Sequence, residues 1–92
     1  MKDLSAFQRD LLYVINKLER PSGQEVKDEL ETYYEEQVNH GRLYSNLDTL
    51  VEKAYLEKGE INRRTNYYEV TERAITALDE RQQWERKYFD AS

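Results

Sequence analysis

Between His40 and Tyr55 the chain reads HGRLYSNLDTLVEKAY, and this stretch limits the possible folds more than any other. Leu43, Leu47, Leu50, Val51 and Ala54 recur at i, i+4, i+7, i+8 and i+11. At about 100° per residue they fall within a sector of roughly 100°, the stripe of a helix with one buried side. Arg42, Ser45, Asp48, Thr49 and Glu52 point the other way. An ordinary solvated face carries long charged chains; this one is built largely from short hydrogen-bonding groups with a single arginine. Directly after it, YLEKGEINRRTNYYEV holds two short runs of strand character around a loop carrying Arg63 and Arg64.

The flanking segments fit the same plan. Asp3 to Glu19 has helical spacing at Leu4, Phe7, Leu11, Ile15 and Leu18, with Ser5 and Gln8 placed as a capping box. Leu12 and Val14 widen its apolar face, so this helix should be touched from more than one side. It stops at Glu19-Arg20-Pro21-Ser22-Gly23, because Pro21 disfavours helical geometry in the residue before it. A second helix is expected from about Ser22 to Glu35, burying Val26, Leu30, Tyr33 and Tyr34 under a cover of Glu25, Asp28, Glu29, Glu31, Glu35 and Glu36. That acidic run reads as a solvated face or, more sharply, as a lure for a basic partner. Glu36 to Asn39 form a turn, and Asn39 or His40 caps the third helix. Tyr55–Ile61 and Asn66–Thr71 are expected to pair as strands around a tip of residues 62–66. A last helix, capped by Thr71, is expected from Glu72 to Ser92. Its first half is apolar at Ala74, Ile75 and Leu78 and its second at Trp84, Tyr88 and Phe89. Trp84 lies roughly 120° around the helix from Leu78, so the two halves need different partners.

The expected fold is mainly α with a small β-hairpin: a winged helix-turn-helix over residues 1–71, plus a C-terminal dimerisation helix over 72–92 in the same unit. A polar-faced helix followed by a basic-tipped hairpin is how that fold meets double-stranded DNA. Candidate DNA contacts are His40, Arg42, Tyr44, Ser45, Asn46, Thr49 and Lys53 on the third helix, and Arg63, Arg64, Thr65 and Asn66 at the tip. In the major groove Arg grips guanine, Asn pairs bidentately with adenine, and Thr touches a thymine methyl. Two adjacent arginines at a hairpin tip repel each other unless an anion compensates, which favours phosphate or minor-groove contact over a bare surface turn.

A net charge of −5 over 92 residues counts against DNA binding only if it is spread evenly. It is not: residues 1–39 carry five basic and nine acidic groups, whereas residues 40–73 carry six of each. Eight arginines against six lysines, with nineteen acids, suggest a salt-adapted surface that would unfold in low-salt buffer. The hydrophobic fraction of 38% and mean hydropathy of −1.04 make an isolated core marginal, so a second chain should complete it. With no cysteine and one histidine, His40, neither a metal site nor a His-based catalytic pair is expected; no cofactor and no enzyme activity are implied. No apolar run is long enough to span a membrane, and MKDLSAFQRD lacks a signal-peptide core, so a cytoplasmic protein is expected.

Over most of its length the chain resembles the PadR-like family of winged-helix transcriptional regulators, especially short acidic members from salt-loving archaea. The matching stretches are LSAFQRDLLYVI, HGRLYSNLDTLVEKAYLEKG and RRTNYYEVTERA. The family's Gly-x-Leu-Tyr-x-x-Leu-x-x-Leu is met by Gly41, Leu43, Tyr44, Leu47 and Leu50, and its Tyr-Tyr pair followed by Thr by Tyr67, Tyr68 and Thr71. Ala54 and Ala74 stand where the family usually has glycine, which is tolerated wherever φ stays negative. The resemblance implies a homodimer joined through the last helix with help from the first, placing Leu4, Phe7, Leu11, Leu78, Trp84, Tyr88 and Phe89 at the interface. It implies regulation, and more specifically repression, of genes. A small aromatic ligand beside Trp84 at the dimer interface is a lesser implication. The competing reading is a winged-helix module that binds protein and no DNA.

Overall fold

In a computed structural model of the chain, which describes residues 2–89, every helix begins at a side-chain cap. The Ser5 hydroxyl accepts from the Gln8 N–H and the Gln8 side chain accepts from the Ser5 N–H, opening α1 (Ala6–Leu18). Ser22 and Glu25 repeat the device at α2 (Gly23–Tyr34). Asn39 accepts from the Arg42 N–H to open α3 (His40–Glu52), and Thr71 accepts from the Ala74 N–H to open α4 (Glu72–Arg86). Each such cap stabilises its helix by about 1 kcal/mol. Between α3 and α4 lie two antiparallel strands, β1 (Leu56–Asn62) and β2 (Thr65–Val70). The architecture is a winged helix-turn-helix, mainly α with one small hairpin.

The core gathers one stripe from each element. Leu11, Leu12 and Ile15 meet Val26 and Leu30, the α3 row Leu43, Leu47 and Leu50, Leu56 and Tyr68 of the hairpin, and Ala74, Ala77 and Leu78 of α4. Truncating Leu47 at the centre of α3 would cost about 2–5 kcal/mol. The hairpin is tied to the helices by Tyr68, whose N–H donates to the Pro21 carbonyl at 2.9 Å, and by a bridge between Ser22 and Tyr67. The turn before α2 is thus pinned to β2 by an isolated bridge beside the two-stranded sheet.

Several expectations are corrected. Tyr33 is 78% exposed rather than buried; the α2 stripe closes on Tyr34 instead, whose hydroxyl donates to Asp10. Val38 in the α2–α3 turn, not counted as core, is buried. Ile75 is exposed and Ala77 takes the inward place on α4. The hairpin loop is two residues, Arg63 and Arg64, not five; Asn62 belongs to β1 and Thr65 joins Asn66 in β2. Neither arginine takes a positive φ, so the twist mismatch of so short a loop is absorbed by a one-residue bulge between Glu60 and Asn62. Helix α4 ends at Arg86, and residues 90–92 of the expected helix lie outside the described residues.

The end of α3 carries the sharpest departure. The Ala54 N–H donates to the Val51 carbonyl and the Tyr55 N–H to the Leu50 carbonyl, a Schellman closure. That closure puts Ala54 at φ 63°, so the condition for tolerating alanine there fails and the Cβ is strained. Ala74, by contrast, sits within α4, where alanine is at ease.

Candidate nucleic-acid interface

Three elements converge on one side of the molecule. The hairpin tip supplies Arg63 and Arg64, both exposed, and among the described residues neither meets a carboxylate. The turn is held by the Asn62 side chain, which accepts from the Arg64 N–H at 3.0 Å. Other basic groups nearby are already engaged. Arg20 pairs with Glu69 at 2.9 Å at the foot of the wing, Lys58 lies 4.0 Å from Asp48, and Lys53 binds the Asp3 carbonyl and carboxylate at 3.1 and 3.4 Å. Lys53, expected to be available, is therefore tethered: it sits where the N-terminal segment crosses the end of α3. Desolvation works to raise the Asp3 carboxyl, but hydrogen bonds from its own backbone, Tyr55 and Lys53 together hold it below its usual 3.8.

On α3 the outward residues are held in different ways. Ser45 is exposed, and its hydroxyl has no partner among the described residues. Thr49 is half-buried and its hydroxyl donates to the Ser45 carbonyl, so toward an outside partner it can only accept. Arg42 is exposed, yet its guanidinium lies 3.9 Å over the Phe7 ring. Asn46 is not a freely outward side chain: it is half-buried, accepts from Gln8 Nε2 at 2.9 Å and donates to the Arg42 carbonyl at 2.8 Å. His40 stacks on Tyr44 at 4.5 Å between ring centroids.

Tyr44 joins helix and wing. Its ring packs on the α2 N-terminus so closely that a Cβ at Gly23 would collide with it, which is why that position is glycine. A cleft of about 170 Å³ runs from Ser22, Gly23 and Gln24 past Tyr44 to Arg64, Thr65 and Asn66. Ser22, Gly23 and Gln24 had no signal of their own in the sequence. The trace they left was Tyr44, a large ring at the edge of an apolar stripe that needed a small neighbour. The same logic requires Gly59, where a Cβ would strike the Tyr67 ring.

The expected dimer residues divide. Leu4, Phe7, Leu11 and Leu78 are buried in the chain's own core, at 6%, 6%, 0% and 6% exposure, and offer a second chain almost nothing. One amphipathic face of α1 cannot serve two cores, and α3, the hairpin and α4 use it first. Trp84, Tyr88 and Phe89 stay exposed, with Trp84 packed on Tyr88 at 4.9 Å and Arg81 over the indole at 4.4 Å. Among the described residues no group of His, Asp or Glu is placed to hold a metal, and no helix is long and apolar enough to cross a membrane.

Against known proteins, this geometry finds clear counterparts. RosR of H. salinarum superposes with a TM-score of 0.91 at 45% identity, over 99% of this chain and 82% of that one. FabT of Streptococcus pneumoniae, solved in complex with DNA, gives 0.76 at 22% identity over 95% of this chain and 58% of that one. F93 from STIV, a winged-helix DNA-binding protein, gives 0.78 at 17% identity and 96% of each chain; these last two speak to the fold alone. No curated protein sequence matches. The transcriptional regulator PadR-like family matches over residues 11–80, and the chain belongs to that family.

Proposed function

We propose that the chain is a sequence-specific, homodimeric transcriptional repressor acting at an inverted-repeat DNA site. In this reading residues 1–71 are the DNA-binding unit, with a recognition helix at about 40–54 and a wing at about 56–71, and residues 72–92 form the dimerisation arm. Each protomer lays α3 in a major groove and sets Arg63 and Arg64 against the backbone or minor groove. The observation that carries it is the set of Arg42, Arg63 and Arg64, exposed and without carboxylate partners among the described residues of an otherwise acidic chain. Family membership supports it. Thr65, Asn66 and Tyr44 flank the duplex through the cleft below the wing, with His40 beside Tyr44.

A second copy is the natural cover for Trp84 in the last turn of α4 and for Tyr88 and Phe89 just beyond it, which lie 48%, 73% and 77% exposed. Two recognition helices one DNA turn, about 34 Å, apart then select an inverted repeat. Selection from random duplexes should yield a two-fold symmetric site, and sedimentation against concentration should give a dimer. An asymmetric site or a monomer at every concentration would sink this part. The acidic surface belongs to a salt-adapted cytoplasmic protein, tested by unfolding in low-salt buffer.

The alternative, a module that binds protein and no DNA, draws on Tyr33 standing exposed among the acids of α2. Mobility-shift assays with mixed duplexes that show no complex at any salt would favour it. Trp84 serves dimer packing first. It also walls a cleft of about 420 Å³ with Lys2, Arg9 and Arg81, and a small aromatic acid there would quench its fluorescence on titration.

A further inference from the structure

The first turn of α1 does more than cap a helix. Phe7 and Gln8 are neighbours there, and each holds one outward side chain of α3: Phe7 lies under the Arg42 guanidinium, and Gln8 donates to Asn46. The polar part is a chain of three hydrogen bonds. The Ser5 N–H donates to Gln8 Oε1 at 3.1 Å, Gln8 Nε2 donates to Asn46 Oδ1 at 2.9 Å, and Asn46 Nδ2 donates to the Arg42 carbonyl at 2.8 Å.

Both ends of this chain are backbone groups whose polarity cannot change. An N–H must donate and a carbonyl must accept. With Ser5 fixed as donor, Gln8 has to turn its oxygen to Ser5 and its nitrogen to Asn46. Asn46 then has to turn its oxygen to α1 and its nitrogen to Arg42. Flipping either amide alone sets two donors or two acceptors face to face. Asn46 keeps one amide proton and one lone pair for an outside partner, in an order dictated from 38 residues away.

We propose that Gln8 is a positioning residue for specificity: by fixing the orientation of the Asn46 amide it decides which base edge that amide accepts. The inference rests on the DNA-reading role of α3 proposed above. It goes further in assigning base preference to a residue on α1 that faces Asn46 rather than DNA. The geometry explains why a glutamine, and not the glutamate used at the equivalent place in the first turn of α2, stands at this capping box. Either residue caps the helix. Only glutamine also carries a donor.

The test is Gln8→Glu, which keeps the acceptor for the Ser5 N–H and so the fold, but presents oxygen to Asn46. Binding of wild type, Gln8→Glu and Asn46→Ala is measured on a panel of duplexes varied one base pair at a time around the selected site. The expected result is that Gln8→Glu and Asn46→Ala both lose about tenfold discrimination at the same base pair and at no other. The Asn46 side-chain amide resonances of free Gln8→Glu should also shift while thermal midpoints stay close to wild type. A uniform loss of affinity with base preference intact would reduce the effect to the added charge and overturn the inference, leaving the DNA-binding reading in place. A wild-type protein with no preference among duplexes would remove both.

Discussion

The hairpin tip and the outer face of α3 both point polar groups at solvent, yet they are built on opposite terms. At the tip, Arg63 and Arg64 occupy the two loop residues of a turn held by one Asn62 contact, and neither is paired with a carboxylate among the described residues. On α3, Arg42 rests on Phe7, Asn46 is bound at both ends of its amide, and Thr49 is tied to Ser45. Two uncompensated charges on a short loop can follow a phosphate wherever the backbone runs, which gives affinity without sequence information. Pre-set hydrogen-bonding groups on a rigid helix lose little entropy on binding and penalise a wrong base, which gives selectivity. On the proposed reading, the two tasks are separated by how tightly the side chains are restrained.

Removing the tip charges should break the comparison most strongly. Arg63→Ala and Arg64→Ala should each weaken binding to every duplex by about tenfold at moderate salt. Each should also lower the slope of log affinity against log salt by about 1, with base preference unchanged. Isothermal titrations at three salt concentrations on cognate and scrambled duplexes would check this. A loss confined to the cognate duplex would reverse the division of labour.

The join between the two regions comes next. Gly23→Ala sets a Cβ against the Tyr44 ring and has to push it out from between α2 and the wing. The expected cost is about 1–3 kcal/mol in chemical denaturation, with a matching loss of affinity as the cleft reshapes. An unchanged midpoint would mean that Tyr44 swings aside freely and does not brace the wing against α3.

How much of this could be read from residues alone differed by element. The one-sided leucine row of α3, the cap at Ser5 and the β-rich runs around Arg63 and Arg64 each speak through local rules, and the fold follows from them. What escaped was set by neighbours distant in sequence. Tyr33 and Tyr34 are equally apolar side by side, and the Phe7 ring and Asp10 carboxylate on α1 receive Tyr34, leaving Tyr33 exposed. Lys53 counted as a free cation until Asp3, fifty residues upstream, proved to hold it. Leu4, Phe7 and Leu11 fit a dimer face as well as a core until the hairpin and α4 were seen to need them. Asn46 looked outward by its place on the helical wheel, and nothing local marks that Gln8 reaches it.

Ala54→Gly should sharpen the picture by improving the pivot from which the wing leaves α3. At φ 63° alanine pays a steric cost that glycine does not, and the surrounding Schellman hydrogen bonds are unaffected. A gain of about 1 kcal/mol is expected, raising the thermal midpoint by about 4–8 °C. Neither base preference nor salt slope should change. Destabilisation would mean that the chain relaxes Ala54 to a negative φ in solution.

The smallest effect is expected at Lys53, and it separates a tethered cation from a free one. Lys53→Ala should reduce DNA affinity by no more than about twofold, far less than either tip arginine, because its ammonium is already occupied by Asp3. Asp3→Asn removes the charge but keeps the backbone carbonyl contact at 3.1 Å, so it should loosen Lys53 and raise affinity by no more than a similar factor. The same pair has a pH signature whose sign follows from the direction of the shift. Because the Asp3 carboxyl sits below its usual 3.8 in the folded chain, its contribution is complete above that value and is lost as pH falls through the lower folded value. Thermal midpoints of wild type should therefore drop below about pH 4 more steeply than those of Asp3→Asn, and the two should run in parallel at neutral pH. Parallel curves through the acid range as well would show that its backbone, Tyr55 and Lys53 do not together hold the Asp3 carboxylate in solution, and Lys53 would rejoin Arg63 and Arg64 as a group open to phosphate.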